Sequence, residues 1–168
     1  MQQETKFSYE YAHAIALRVL DLLRPHCVRC EIAGSIRRQK PEVKDIEIVA
    51  IPKPYQTGLF EDGIAAVVNQ WQKVRGEFPC KYTQRILPEG IKLDLFLVEE
   101  GNWGLQFAIR TGSAEYSHKV LASAWAARGY KSIDGYLHCG KRRYETREEI
   151  DLFNRLSIPY VEPKNRNI

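Results

Sequence analysis

Three acidic residues interrupt two otherwise apolar stretches of the chain, and they are the residues best suited to chemistry. Asp45 and Glu47 lie in residues 43–49, and Asp94 lies in residues 91–98. Both stretches are short and rich in Ile, Leu and Val, which predicts β-strands, and in a strand residues two apart share a face. If the strands are neighbours, the carboxylates converge, and their repulsion requires neutralising cations. The pattern predicts catalytic carboxylates that bind two Mg²⁺ or Mn²⁺ ions, as in phosphoryl transfer. The alternative is a set of solvated carboxylates on an exposed sheet face.

A Gly-Ser turn followed by two arginines lies just before the first acidic strand. Gly34 can adopt backbone angles that other residues avoid, and it lets a ligand approach the main chain. Ser35 offers a hydroxyl group that can cap a short helical turn. The guanidinium groups of Arg37 and Arg38 can bind phosphate oxygens, although an Arg-Arg pair by itself is usually solvated charge. Placed between a Gly-Ser turn and an Asp-x-Glu strand, the arginines predict a binding site for a triphosphate.

The order of these motifs resembles the palm of the nucleotidyltransferase superfamily, and most closely that of the family X DNA polymerases. The resemblance rests on Gly-Ser-x-Arg-Arg at 34–38, on Asp-x-Glu at 45–47, and on Asp94 in the second acidic strand. It continues through 107–113, which ends in a Thr-Gly-Ser turn, and through the Tyr-x-Glu-Pro tail at 160–163. It covers nearly the whole chain in the family's order.

The resemblance implies an α+β fold in two parts. Residues 1–103 correspond to a nucleotidyltransferase palm, a mixed sheet with two helices. Residues 104–168 correspond to a small α/β thumb-type C-terminal subdomain that selects the nucleotide. Only one helix is predicted before the palm turn, so the lyase and helix-hairpin-helix domains of cellular members have no expected counterpart. We therefore expect the minimal layout of palm and C-terminal subdomain.

The resemblance assigns catalytic and metal-binding roles to the three carboxylates. Asp45 and Asp94 match the family's metal ligands directly. Glu47 stands where family polymerases usually have Asp, and its side chain is one methylene longer. A metal site remains expected, with Mg²⁺ or Mn²⁺ as two bound ions.

The resemblance also implies two groups of nucleotide-binding residues. The first group matches positions that hold the terminal phosphates. The second lies at the turn under the incoming sugar and base, where Ile109-Arg110 replaces the family's usual aromatic pair. The residues expected to bind nucleotide are Gly34, Ser35, Arg38, Arg110, Thr111, Gly112 and Ser113.

Basic residues of the C-terminal part are the expected DNA contacts. Residues 104–168 contain 11 Lys and Arg against 7 Asp and Glu, whereas residues 1–103 contain 14 of each. A basic excess on one part of a chain fits contacts with nucleic acid phosphates. A solvated hairpin tip is the equal alternative for residues 141–143. The residues expected to contact DNA are Lys119, Lys141, Arg142 and Arg143.

Composition agrees with a cytoplasmic monomer. At 168 residues the chain can bury a real core. No apolar run approaches the ~20 residues needed to span a bilayer, and the first residues lack the order of a signal peptide. The four cysteines are expected to be reduced thiols, although Cys27 and Cys30 have the spacing of half a zinc site or a redox pair.

Hydrophobic periodicity and turn residues predict the remaining elements. Ser8 to Leu23 should form a helix capped by Ser8, with Ala12, Ile15, Ala16, Val19, Leu22 and Leu23 on its apolar face. Further helices are predicted at 59–74, at 113–128, and from a capping box at 146–149 to about 156. A hairpin is predicted from residues 136–139 and 142–144.

The sequence therefore predicts transfer of a nucleotide from a nucleoside triphosphate to a DNA 3′-hydroxyl. The enzyme would be a minimal family X DNA polymerase that fills gaps or extends ends in DNA repair. Two alternatives remain open. One is a nucleotidyltransferase with a non-DNA acceptor, and the other is an inactive module that binds DNA ends.

Overall fold

The computed structural model describes residues 4–168, which divide into two units. The first extends to Leu97, and the second comprises Val98–Ile168. Residues 98–103, which the sequence analysis assigned to the first part, belong to the second. Local hydrogen bonds explain this: the Asn102 side chain donates to the carbonyl of Gly135 (3.1 Å), and the Thr146 amide donates to the carbonyl of Gly101 (2.8 Å).

A five-stranded mixed sheet organises the first unit. Its spatial order is β2-β4-β7-β6-β5, in which only the β4–β7 pair is parallel. A separate two-stranded ladder pairs β1 with β3. The strands are β1 (Phe7–Ser8), β2 (Cys27–Ile32), β3 (Glu42–Val43), β4 (Asp45–Pro52), β5 (Gln72–Arg75), β6 (Tyr82–Ile86) and β7 (Lys92–Leu97), and the helices are α1 (Tyr9–Leu23), α2 (Gly34–Arg37) and α3 (Gly63–Val68).

Helix α1 forms as predicted and supplies one side of this unit's core. The Ser8 hydroxyl accepts a hydrogen bond from the Tyr11 amide (3.3 Å), which confirms the predicted cap. The predicted apolar face is buried except at Leu22, which is 48% exposed, and Leu20 is buried instead. The alternate residues of β4, Ile46, Ile48 and Ala50, face the same core.

The predicted helix over residues 59–74 is wrong in its second half. Helix α3 ends at Val68, and residues 72–75 form the edge strand β5. The buried Arg85 side chain explains the change of structure, because it donates to the Trp71 carbonyl (3.3 Å) and to Asn69 Oδ1 (2.9 Å). A tertiary contact therefore overrides the helical periodicity.

The second unit combines helices with a three-stranded antiparallel sheet of order β10-β9-β8. The predicted hairpin is confirmed, because β9 (Tyr136–Cys139) pairs with β10 (Arg142–Tyr144). The predicted helix over 113–128 is confirmed in extent, with a π-helical segment at Ser117–Ala122. The other elements are β8 (Lys131–Ile133), α4 (Trp103–Thr111), α5 (Ala114–Tyr116), α6 (Ser123–Ala127) and α7 (Glu149–Arg155).

The predicted capping box at 146–149 is wrong. Glu148 is the residue that caps α7, and it forms a capping box with Asp151. Thr146 is buried, and its backbone bonds to Gly101 and Gly104 instead. Within the described part of the chain, no helix is long and apolar enough to cross a membrane.

Candidate active site

Strand pairing brings the three acidic residues to one face of the first unit's sheet. Strands β4 and β7 are parallel neighbours, with Glu47 opposite Asp94 and Asp45 opposite Lys92. Residues directly opposite each other in adjacent strands point to the same side. Asp45, Glu47 and Asp94 therefore share a face, and the residues between them point into the apolar core.

The side chains of Asp45 and Asp94 lie together. Burial of Asp45, followed by the negative charge of Asp94 and a hydrogen bond with it, raises the pKa of Asp45 to about 6. A raised carboxyl pKa means that the surroundings of Asp45 disfavour its ionised form. A cation at this point would offset the cost of holding two carboxylates in contact.

Two neighbours on strand β6 hold Asp94 in place, and the sequence analysis missed both. The Tyr82 hydroxyl and the Gln84 amide (2.8 Å) each donate a hydrogen bond to Asp94 Oδ1. Tyr82 also stacks on Phe96, with ring centroids 5.1 Å apart. Burial raises the pKa of Tyr82, so its hydroxyl remains a donor at neutral pH. Only the pairing of β6 with β7 identifies the acceptor.

Glu47 turns its carboxylate toward the main chain of Gly34. A Cβ atom added to Gly34 would lie 1.7 Å from Glu47 Oε2, and Gly34 has a φ of +62°. Only glycine fits this close approach. Among the described residues, no group of three His, Cys, Asp or Glu side chains stands ready to hold a metal ion. In the structure, the side chains of Asp45 and Asp94 are therefore in contact, and the Glu47 carboxylate lies beside the Gly-Ser turn.

The Gly-Ser turn forms the four-residue helix α2, and Arg38 follows it. The residue before the helix is Ala33 and no side chain caps it, so the predicted capping role of Ser35 is wrong. The Arg38 amide donates to the Gly34 carbonyl (3.1 Å). Burial lowers the pKa of the Arg38 guanidinium, and the charges of Glu47 and Asp45 act in the opposite direction. Arg38 is therefore a half-buried cation beside the carboxylates.

The Thr-Gly-Ser turn ends helix α4 in the second unit. Thr111 is buried, and a Cβ atom on Gly112 would lie 2.6 Å from the Tyr116 ring. Ser113 caps the next helix by accepting a hydrogen bond from the Tyr116 amide (3.1 Å). Arg110 lies partly buried in the last turn of α4. The turn is tightly packed and has a defined conformation.

Comparison with known proteins identifies the fold. Neither the known protein-family models nor the curated protein sequences match the chain. Among solved structures, the chain is similar to polymerase beta of Leishmania infantum, determined as a ternary P/T complex, with a TM-score of 0.73 and 19% identity. The similarity covers 98% of this chain and 77% of that chain. The chain has a polymerase beta-like fold. The α+β fold with a mixed sheet that the sequence predicted is confirmed.

A buried arginine in the C-terminal tail anchors the Thr-Gly-Ser turn within this fold. Arg166 is fully buried, forms an ion pair with Glu149, and donates from Nε to the Val161 carbonyl (2.8 Å). Its own carbonyl accepts a hydrogen bond from the Ser113 amide (3.0 Å). The Ile168 amide in turn donates to Ser113 Oγ (3.4 Å). The tail is recognisable as a motif in the sequence, but the anchoring role of Arg166 is visible only in the structure.

Replacing Arg166 by Met should destabilise the second unit by about 3–5 kcal/mol, because the buried Glu149 carboxylate loses its ion pair with the guanidinium. The matched control is Arg147→Met, since Arg147 forms an exposed pair with Glu145 (3.1 Å). Exposed pairs contribute about 0–1 kcal/mol. Urea unfolding of both variants measures the difference. Equal losses would show that the Arg166–Glu149 pair does not anchor the tail.

The predicted DNA contacts lie on two different elements of the second unit. Lys119 lies 3.7 Å from Glu115 on an exposed helix face. Arg142 lies over the Tyr144 ring (4.8 Å), and Arg143 lies over the Tyr136 ring (4.2 Å). Because they are consecutive in strand β10, the two arginines point to opposite faces. Lys141 is exposed at the hairpin turn between them and β9.

Strand register adds two basic residues that the sequence analysis missed. His138 pairs with both Arg143 and Lys131 across the three-stranded sheet. Neighbouring strands are about 4.8 Å apart, so the three side chains form a transverse row on one face. Lys131 and Arg143 are exposed, and His138 is partly so. No sequence signal links these positions, because the row depends on pairing.

Proposed function

We propose that the protein is a two-metal nucleotidyltransferase that joins a nucleotide to a DNA 3′-hydroxyl, as a minimal family X DNA polymerase. The observation that carries the proposal is the β4–β7 register, which sets Asp45, Glu47 and Asp94 on one face with Asp45 and Asp94 in contact. The polymerase beta-like fold supports it.

The donor set fits Mg²⁺ or Mn²⁺, because both are hard cations that prefer carboxylate oxygens. Two such ions would be held by Asp45, Glu47 and Asp94, activate the attacking hydroxyl and stabilise the departing pyrophosphate. Asp94 would be oriented for this task by its hydrogen bonds from Tyr82 and Gln84. Glu47, which lies opposite Asp94 in the neighbouring strand, would complete the set.

The triphosphate is expected to bind at the Gly-Ser turn. Gly34 and Ser35 offer main-chain amides and a hydroxyl, and Arg38 brings a cation beside Glu47 and Asp45. Charge-assisted hydrogen bonds to phosphate are stronger than neutral ones. The sugar and base would be held by Thr111, Gly112 and Ser113, with Arg110 in place of the usual aromatic wall. The well-defined Thr-Gly-Ser turn supports this assignment.

Replacing Arg38 by Ala should raise the nucleotide Kd roughly 10- to 100-fold, since a charge-assisted contact contributes about 1.5–3 kcal/mol. Arg37→Ala is the matched control, because Arg37 lines a different pocket with Tyr9 and His13 of α1. Titration with a non-hydrolysable triphosphate analogue measures both. Equal effects of the two substitutions would place the phosphate site elsewhere.

DNA is the proposed acceptor, and the second unit supplies the proposed phosphate contacts. Lys119, Lys141, Arg142 and Arg143 remain candidates, and the Lys131–His138–Arg143 row adds a linear arrangement. A row of basic residues across adjacent strands suits contacts with a phosphate backbone. The protein would act as a monomer, which sedimentation would test.

Primer extension tests the proposal and its two alternatives. Labelled deoxy- and ribonucleoside triphosphates would be offered with Mg²⁺ or Mn²⁺ and with single-stranded, primed or gapped DNA. Extension that is abolished by EDTA supports polymerase activity. Nucleotide binding without extension of any DNA favours a non-DNA acceptor. DNA-end binding without nucleotide binding favours the inactive module.

A further inference from the structure

A cleft of about 480 Å³ opens on the first unit beside Asp45. The residues that line it include Asp45, Gln84 and two lysines, Lys44 and Lys92. Lys92 lies directly opposite Asp45 across the β4–β7 pair. The cleft therefore combines a carboxylate of the proposed catalytic set with two cations that this set does not use.

The N-terminal segment also lines the cleft. Glu4, Thr5 and Phe7 contribute to the lining, and the pairing of Phe7 with Val43 fixes the segment to strand β3. The Tyr9 amide donates to the Pro41 carbonyl (3.0 Å), which extends this attachment. Glu4 forms an ion pair and hydrogen bond with Lys44.

Glu4 lies in a basic environment. Its hydrogen bond and ion pair with Lys44, together with the charges of Lys92 and Lys6, lower the pKa of Glu4. The Glu4 carboxylate shows that Lys44 can pair with an anion at this position. Because Glu4 and Lys44 are both largely exposed, their pairing is weak and can be exchanged for another anion.

We infer that the N-terminal segment is part of the acceptor site. The Glu4 carboxylate occupies the position beside Lys44 that a phosphate of the acceptor strand would take. The inference rests on the proposed function, which places the reacting hydroxyl beside Asp45. A strand entering the cleft would exchange Glu4 for one of its phosphates on Lys44. Lys92 would hold a neighbouring phosphate next to Asp45. Glu4 then limits how tightly the acceptor binds.

The test measures the Kd of a fluorescein-labelled primed oligodeoxynucleotide by anisotropy. Glu4→Gln should tighten binding by about fivefold at low salt, since the strand no longer displaces an anion from Lys44. The matched control is Glu42→Gln. Glu42 is an exposed carboxylate of the same ladder, 3.7 Å from Lys6, and it does not line the cleft. Glu42→Gln should change the Kd by less than about twofold.

The same substitutions in a Lys44→Ala protein distinguish two effects of Glu4. One is exchange of Glu4 for a phosphate on Lys44, and the other is general electrostatic repulsion between Glu4 and DNA. Lys44→Ala should weaken binding and lower the slope of log K against log salt by about one. In the Lys44→Ala protein, Glu4→Gln should have no larger effect than Glu42→Gln. If Glu4→Gln has the same effect in both backgrounds, or never exceeds the control, the inference is overturned.

Binding and transfer are read separately, so the two proposals can fail independently. The predicted Kd pattern without extension of the primer would support the cleft and contradict nucleotidyl transfer to DNA. Primer extension with equal Kd values for the Glu4→Gln and Glu42→Gln proteins would support nucleotidyl transfer to DNA and contradict the role of Glu4 in the cleft. Circular dichroism of each variant checks that these exposed substitutions leave the fold unchanged.

Discussion

The Asp45→Asn protein is expected to lose nucleotide transfer and to unfold less readily than the wild type. Loss of a metal ligand should reduce the rate by more than about 10³-fold, or about 4 kcal/mol. The pKa of Asp45 is raised to about 6 in the folded state. Folding therefore favours the protonated form of Asp45. The stability that this protonation contributes is lost as the pH rises from about 4 through 6. Above pH 6, in metal-free buffer, Asn should stabilise the fold by about 1–2 kcal/mol, allowing for solvent screening.

Urea unfolding at pH 4 and pH 7.5 without divalent ions, together with primer extension, measures both effects. The stabilisation should be present at pH 7.5 and nearly absent at pH 4. Asp21→Asn serves as control, because Asp21 is an exposed carboxylate of α1 that lies 3.8 Å from Arg24. Retained transfer in Asp45→Asn would remove Asp45 from the catalytic set. A loss of stability at pH 7.5 would contradict the crowding with Asp94.

Asp94→Asn should also abolish transfer but should not gain the same stability. The Asp94 carboxylate accepts hydrogen bonds from Tyr82 and Gln84, and an amide accepts them less strongly. The stability gained by relieving the repulsion with Asp45 is therefore offset by the weakening of these two hydrogen bonds. A clear stabilisation of Asp94→Asn would show that those two hydrogen bonds contribute little.

The Gly34→Ala protein is expected to lose both stability and nucleotide binding. A φ of +62° is unfavourable for alanine by about 1–2 kcal/mol. The added methyl group would also overlap the Glu47 carboxylate, with Glu47 Cβ only 3.0 Å away, so rotation of the carboxylate alone does not relieve the contact. Displacement of Glu47 and of the turn should raise the nucleotide Kd by at least about tenfold.

Gly58→Ala is the control that separates backbone strain from the clash. Gly58 has a similar positive φ of +86°, and nothing lies within 4 Å of an added Cβ atom. Its substitution should lower stability by the strain alone and leave nucleotide affinity unchanged. Urea unfolding and nucleotide titration of both proteins give the comparison. Equal nucleotide affinities would argue against a ligand at the Gly34 turn.

Much of the candidate site followed from local sequence patterns. Alternation along residues 45–50 requires Asp45 and Glu47 to share one face and Ile46, Ile48 and Ala50 to share the other. Ser8 marked the start of α1 because a side-chain cap acts within one turn of the helix. These effects involve residues a few positions apart, so the sequence contains all the information that they need.

The residues that support the site could not be predicted in this way. Tyr82 and Gln84 have no local feature that assigns them to Asp94, and their role depends on β6 lying next to β7. Residues 72–75 became a strand rather than a helix because Arg85, remote in sequence, bonds to the chain before them. The Arg166 anchor likewise depends on the tail returning to Ser113.

By itself, the sequence determined which residue types are available for chemistry, which of them share a strand face, and where several helices and turns begin. Tertiary structure alone decided the order of the strands. The pairing of strands brings Asp45 into contact with Asp94 and the Glu47 carboxylate close to Gly34, and the β1–β3 ladder brings Glu4 to Lys44. The physical reason is range: propensity and side-chain alternation act between near neighbours. The contacts that assemble a site close long loops, and they form only because the whole core is buried at once.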